Sequence, residues 1–115
     1  MPRFVILEHD HPFAHLDFMI ECSDKLRTWR LPREPAPDVT LMAEAIGDHR
    51  KDYLDYEGPV SGGRGRVKRW DAGTFTVETD SAEELRLSLS GDRVNGTVEL
   101  RQVKGDVWYW RLDRS

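Results

Sequence analysis

The chain has 115 residues and a formal net charge of −4, which allows one modest core and excludes a protein that coats nucleic acid through a broadly basic surface. Hydrophobic residues make up 38% and charged residues 33%, and no apolar run approaches the ~20 residues of a membrane-spanning helix. The start "MPRFVILEHD" has neither a long apolar segment nor a cleavage site, and one cysteine, Cys22, excludes an intrachain disulfide. A single cytoplasmic domain over residues 1–115 is expected, with no membrane partner and with Cys22 as a buried small hydrophobe.

Taken in chain order, short runs of β-branched and aromatic residues alternate with Gly, Pro, Asp and Asn. "RFVILEH" (3–9) reads as a strand, "DHPFA" as a turn and "HLDFMIEC" (15–22) as a second strand. "LRTWRL" (26–31) follows the turn "SDK" and is closed by Pro32; "PREPAPD" is a stiff connection. "LMAEAI" (41–46) fits a strand or a helix. "DHRKDYLDY" reads as a short helix capped by Asp48 and stopped at Gly58 and Pro59. Further strands are expected at 66–71, 74–79, 84–90, 97–103 and 106–112, with "DAG", "SGDRVNG" and "KGD" as turns. About eight short strands with one helix point to an all-β fold, a small antiparallel barrel or sandwich. Trp29, Trp70, Trp108 and Trp110 are read as core residues, with Tyr109 on the opposite face from its tryptophan neighbours.

The stretch "EHDHPFAHLDF" holds three of the four histidines. Strand alternation puts His15, Asp17, Met19 and Glu21 on one face and Leu16, Phe18, Ile20 and Cys22 on the other. The second set is apolar and belongs to a core, so the first faces solvent or a polar cavity. Two imidazoles and a carboxylate are a common ligand set for Zn²⁺ or Mn²⁺ that leaves positions open for substrate. His9 supplies the third ligand if the first two strands are neighbours, whereas His11 lies in the turn. Ordinary surface histidines are the competing reading. His49 and Tyr53, four apart, share a face if their segment is helical, and together suit hydrogen bonding to an anion; a capping turn is the alternative. Arg64, Arg66, Lys68 and Arg69 form the densest basic cluster, either a nucleic-acid contact or a charged edge strand.

Together these segments resemble the 3′-phosphoesterase domain that accompanies bacterial DNA ligase D. "FVILEHDHPFAHLDFMIE" is similar to the family's strand, His, five residues, then H-Y-D-F-R. "LRTWRLP" is similar to L-K-S-W-x-x-P, "DHRKDYLDYEG" to D-H-P-x-D-Y-x-x-F-E-G, and "RWDAGTF" to x-W-D-x-G-x-W. The resemblance implies a small β-barrel and a phosphoesterase, typically manganese-dependent (Zn²⁺ and Co²⁺ being alternatives), that removes a 3′ phosphate or 3′ ribonucleoside from nucleic-acid ends in DNA repair. By position it implies that His9, His15 and Asp17 are metal ligands, that His49 and Tyr53 contact the scissile phosphate, and that a ligase or polymerase is a partner.

The chain departs from that pattern in three places. Met19 stands where the family has an arginine, Gly47 where it often has an acid, and "EGPVSGGRG" replaces a longer loop. A thioether cannot replace the charge-assisted, often bidentate bonds of a guanidinium. Losing one such contact costs on the order of 10²–10³ in rate unless another cation, such as Arg64 or Arg66, takes over. A metal-binding barrel that recognises nucleic-acid ends or other phosphorylated ligands without cleaving them is therefore the alternative.

Overall fold

The computed structural model describes residues 1–113. Its strands are β1 Arg3–His9, β2 His15–Cys22, β3 Lys25–Leu31, β4 Thr40–Arg50, β5 Gly58–Pro59, β6 Arg66–Asp80, β7 Glu84–Gly91, β8 Asn95–Lys104 and β9 Val107–Asp113. All pair antiparallel in the order β1-β2-β3-β4-β9-β8-β7-β6-β5, and β6 also pairs with β1. That last pairing closes an eight-stranded barrel and leaves two-residue β5 as an appendage on β6. Closure removes the exposed edges that an open sheet would present.

Period-2 alternation fills the barrel with one face of each strand. Phe4, Ile6, Phe18, Trp29, Leu87 and Trp110 are among the residues buried there. Trp108 and Trp110 both point into this core, as their spacing requires. Tyr109 points outwards and donates its phenol hydrogen to Glu99. Trp70 is only half-buried and lies under the Arg93 guanidinium.

A second, smaller apolar cluster lies on the outside of the wall. Val5 and Leu7 of β1, Met19 of β2, Leu26 of β3 and Val67 of β6 form its floor. Leu54 covers them, with Tyr53 and Val60 packed alongside. The cover is a strap, residues 51–65, between β4 and β6. It is tied down by the Arg69 backbone N–H on Glu57 (2.8 Å), the Arg69 guanidinium on the Leu54 carbonyl (3.2 Å) and Arg3 on Asp55 (2.6 Å). Both faces of β2 are thus buried. Met19, expected towards solvent or a polar cavity, is 1% exposed in this outer cluster, and Cys22, expected in the core, is exposed at the strand end.

The short helix expected over 48–56 does not form; among the described residues the strap carries only a 3₁₀ turn, Lys51–Leu54. Asp48 caps nothing, because β4 continues through it to Arg50. The pairing explains why. Thr28 faces Ile46 and Leu26 faces His49, so β4 spends three residues where β3 spends two. This bulge at Gly47–Asp48 turns His49 to the outer face, where regular alternation after Ala43 and Ala45 would have sent it inwards. The ambiguous 41–46 segment is the first part of the same strand. Segments 66–71 and 74–79 are likewise one strand. Gly73 pairs with Phe4 on one side and Gly91 on the other, and a Cβ there would lie 2.0 Å from the Ser90 carbonyl oxygen. The glycine of "DAG" therefore marks a close approach of two backbones rather than a turn.

Candidate metal centre

The β1–β2 hairpin pairs His9 with His15 and Leu7 with Asp17. His9, His15 and Asp17 all project onto the outer face at the open end of the apolar cluster. One nitrogen or oxygen from each lies within 4.8 Å of the others. The His15 and Asp17 side chains are 0% and 2% exposed, and His9 is 16% exposed.

The hydrogen bonds around this trio decide its chemistry. His15 Nδ1 is 2.7 Å from the Phe13 carbonyl oxygen, and His9 Nε2 is 2.8 Å from the Arg64 carbonyl oxygen. A carbonyl only accepts, so each of these nitrogens carries the proton. In the neutral imidazoles the opposite nitrogens hold lone pairs, and both are turned towards one carboxylate. His15 Nε2 lies 3.0 Å from Asp17 Oδ1, and His9 Nδ1 lies 3.3 Å from Asp17 Oδ2. The first pair is close enough for an ion pair, yet His15 Nε2 and Asp17 Oδ1 are sealed from solvent and neither makes a hydrogen bond. Three potential ligand atoms therefore converge, with both rings oriented by backbone carbonyls, the outer arrangement that metal-ligating histidines use. A divalent cation would satisfy such a set. A nitrogen-and-carboxylate donor trio without thiolate suits Zn²⁺, Mn²⁺ or Co²⁺.

Beside the trio lies a cavity of about 220 Å³, walled by His9, Asp17, Met19, Arg30, His49 and Tyr53, with Arg64 at its rim. His49 and Tyr53 meet with ring centroids 5.6 Å apart. They meet because the bulge aims one and the strap carries the other, not because a helix aligns them. His49 Nδ1 is 3.0 Å from Thr28 Oγ1, whose own hydrogen goes to the Leu26 carbonyl at 3.2 Å. The hydroxyl therefore accepts from Nδ1–H, leaving Nε2 for the cavity. Burial pushes the His49 pKa below its ordinary 6.5, against an opposing pull from the Asp17 charge and the Gly47 backbone. A neutral His49 is an acceptor at Nε2 and becomes a donor there on protonation.

The four basic residues of 64–69 do not form one patch. Arg64 lines the small cavity. Arg66 and Lys68, two apart on β6, line a neighbouring space of about 730 Å³ that also touches His9 and His15. Arg69 faces the opposite way and is committed to the strap. Nor is their strand an unpaired edge, since β1 and β5 flank its start. Arg30 went unnoticed in the sequence, although its cross-strand pairing with Asp17 places it on the same wall.

A closed antiparallel barrel with a His–His–Asp cluster and a small polar cavity on its outer wall defines a class: β-barrel domains with a candidate metal site on the wall rather than in the lumen. Residues 7–102 match the model of a particular family, the DNA ligase D 3′-phosphoesterase domain, and the chain belongs to that family. It is 34% identical, over 91% of its length, to the multifunctional non-homologous end joining DNA repair protein LigD of Mycobacterium tuberculosis. It is 33% identical over 98% of its length to the multifunctional non-homologous end joining protein LigD of Pseudomonas aeruginosa, and 29% identical over 92% to that of Mycolicibacterium smegmatis. The matched region spans only 15–16% of those relatives.

Proposed function

We propose that the chain is a metal-dependent phosphoesterase acting on 3′ ends of nucleic acid, removing a 3′ phosphate or 3′ ribonucleoside during DNA end repair. The observation that carries the reading is the convergence of one ligand atom from each of His9, His15 and Asp17, within 4.8 Å of one another, beside a small polar cavity. Bound there, Mn²⁺, Zn²⁺ or Co²⁺ supplies Lewis-acid polarisation of a phosphoryl oxygen.

The chain's own groups do the rest. The phenol of Tyr53 donates to a non-bridging oxygen. His49 offers Nε2 to the same cavity, as an acceptor when neutral and as a donor when protonated, while Thr28 fixes its ring. Arg66 and Lys68 flank the larger adjoining space and guide the strand leading to its 3′ end. The names of the relatives support a place in non-homologous end joining, and the family's name supports a DNA ligase as partner.

The test is metal-titrated hydrolysis of matched 3′-phosphate and 3′-ribonucleotide duplexes. Release of phosphate or nucleoside is expected with Mn²⁺, Co²⁺ or Zn²⁺, and its loss in His15→Ala and Asp17→Ala. No release with any of the three metals refutes the reading. Met19, apolar and buried at the cavity wall, favours a second reading, a barrel that holds a phosphorylated end without cutting it. Tight binding of a 3′-phosphorylated strand with no product at any metal concentration selects that one.

A further inference from the structure

Two guanidiniums reach the small cavity, and their surroundings differ. Arg64 belongs to the exposed strap and is engaged locally, donating from Nε to the Ser61 carbonyl (2.8 Å) and from a terminal nitrogen to Ser61 Oγ (3.3 Å). Arg30 rises from the barrel wall itself. Its strand neighbours are Asp17 on one side and Glu44 on the other, so its position relative to the metal centre is fixed by sheet register.

The Arg30 side chain is 24% exposed, yet it lacks the close carboxylate partner that comparable arginines have. Arg3, Arg86, Arg101 and Arg111 each lie within 3.0 Å of an Asp or Glu oxygen. Arg30 comes no nearer than 3.6 Å to Glu44, whose side chain is 56% exposed, a pairing of little energetic consequence. Its Nε is buried and donates to nothing. The Phe13 ring stands 5.4 Å from the guanidinium carbon and backs it from the loop side. A half-sequestered cation with most of its donors uncommitted, bordering a cavity with an imidazole and a phenol, is arranged for an anion rather than for the fold.

We infer that Arg30 is the phosphate-gripping residue of this site. Its guanidinium takes the non-bridging oxygens of a 3′-terminal phosphate and makes the site prefer a 3′-phosphorylated end to a 3′-hydroxyl end. The inference rests on the 3′-end reading above and adds the residue that recognises the ligand. Arg64, already bonded within its own loop, is not required for the preference.

Stopped-flow anisotropy with Mn²⁺ and two labelled strands, identical except for a 3′ phosphate or 3′ hydroxyl, reads binding before product forms. The wild type is expected to favour the phosphorylated strand by roughly 10- to 100-fold, the scale of a charge-assisted hydrogen bond or two. Arg30→Gln should erase that preference while binding the hydroxyl strand as before. Arg30→Lys should restore only part of it, since an ammonium keeps the charge without the fork. Arg27→Gln, on the same strand but stacked on Trp29, should leave it intact. A wild type without preference, an Arg30→Gln protein that keeps it, or an equal loss for both strands overturns the inference. Turnover by the wild type combined with any of these leaves the phosphoesterase reading standing without Arg30. Preference lost in Arg30→Gln with no turnover by the wild type leaves Arg30 standing and removes the enzyme.

Discussion

Replacing Asp17 by Asn should make the metal-free protein more stable and the metal-treated protein relatively less so. Without an ion, Asp17 Oδ1 and His15 Nε2 face each other at 3.0 Å, both sealed and without a hydrogen bond. An asparagine of the same shape supplies an N–H to that lone pair and removes a buried charge. Leaving buried acceptors unsatisfied costs about 1–3 kcal/mol, so Asp17→Asn should recover roughly 1–2 kcal/mol in chelator. For 115 residues the unfolding entropy is about 0.24 kcal/mol per kelvin, so each kcal/mol moves Tm by about 4 °C and the gain is about 4–8 °C. Mn²⁺ at a hundred times its Kd adds about 2.7 kcal/mol, or about 11 °C, to the wild type. The variant, with one charged donor missing, should gain little. Thermal unfolding of both proteins in EDTA and across a Mn²⁺ titration reads all four states. A variant less stable than wild type in EDTA, or one that gains as much from Mn²⁺, would refute the claim that three acceptors are held together for a cation.

Other consequences are independent of the metal. The buried Asp71 carboxylate accepts from the backbone N–H groups of Ala72, Asp92 and Val94 at 2.8–2.9 Å, pinning the β7–β8 turn to β6. Asp71→Ala should cost about 3 kcal/mol in a urea titration, since two distant N–H groups lose their acceptor; a cost under about 1 kcal/mol would contradict that role. Leu54→Ala should lose roughly 2 kcal/mol from the strap cluster, seen as faster proteolysis within residues 55–65 while exchange in the barrel core stays slow; equal loosening of both would show that strap and barrel are one cooperative unit. The Glu99 carboxyl is held below its usual 4.5 by the Tyr109 phenol first and the Arg86 guanidinium next. A folded pKa below the unfolded one gives stability that is complete above about 4.5 and lost as pH falls through the folded value. Glu99→Gln should therefore flatten the acid limb of the stability curve below about pH 4.5, and an unchanged limb would mean that the pair contributes nothing.

Much of the barrel was legible because its strands obey period 2 and because Gly, Pro, Asp and Asn punctuate them. The candidate ligands were legible for the same reason: alternation along "HLDF" fixes His15 and Asp17 on one face, and a short hairpin returns His9 beside His15. What local pattern could not reveal was what lies over the outer face. Met19 reads as facing solvent or a polar cavity until the strap's Leu54 is known to cover its cluster, and that cover is a long-range contact. His49 shows the limit of local rules most clearly. Asp48 before a polar, tyrosine-bearing run satisfies the rules for a capped helix, but pairing with β3 overrides propensity and extends the strand. Arg30 was recoverable by counting. A two-residue turn at Ser23–Asp24, with Ser23 at φ 59°, pairs Cys22 with Lys25 and hence Asp17 with Arg30.

The strap joins β4 to β6 without contributing to barrel closure, because β4 already pairs with β3 and β9, and β6 with β1 and β7. Its length and residues can therefore diverge while the wall beneath keeps its hydrogen-bond ladder. Floor and roof of the cavity answer to different constraints: the floor to sheet register, the roof to the space it encloses and, at Arg64, to the His9 ring it orients. Exchanging 55–63 between relatives is thus the natural way to redraw the cavity while leaving the donor trio and its Arg64 carbonyl in place.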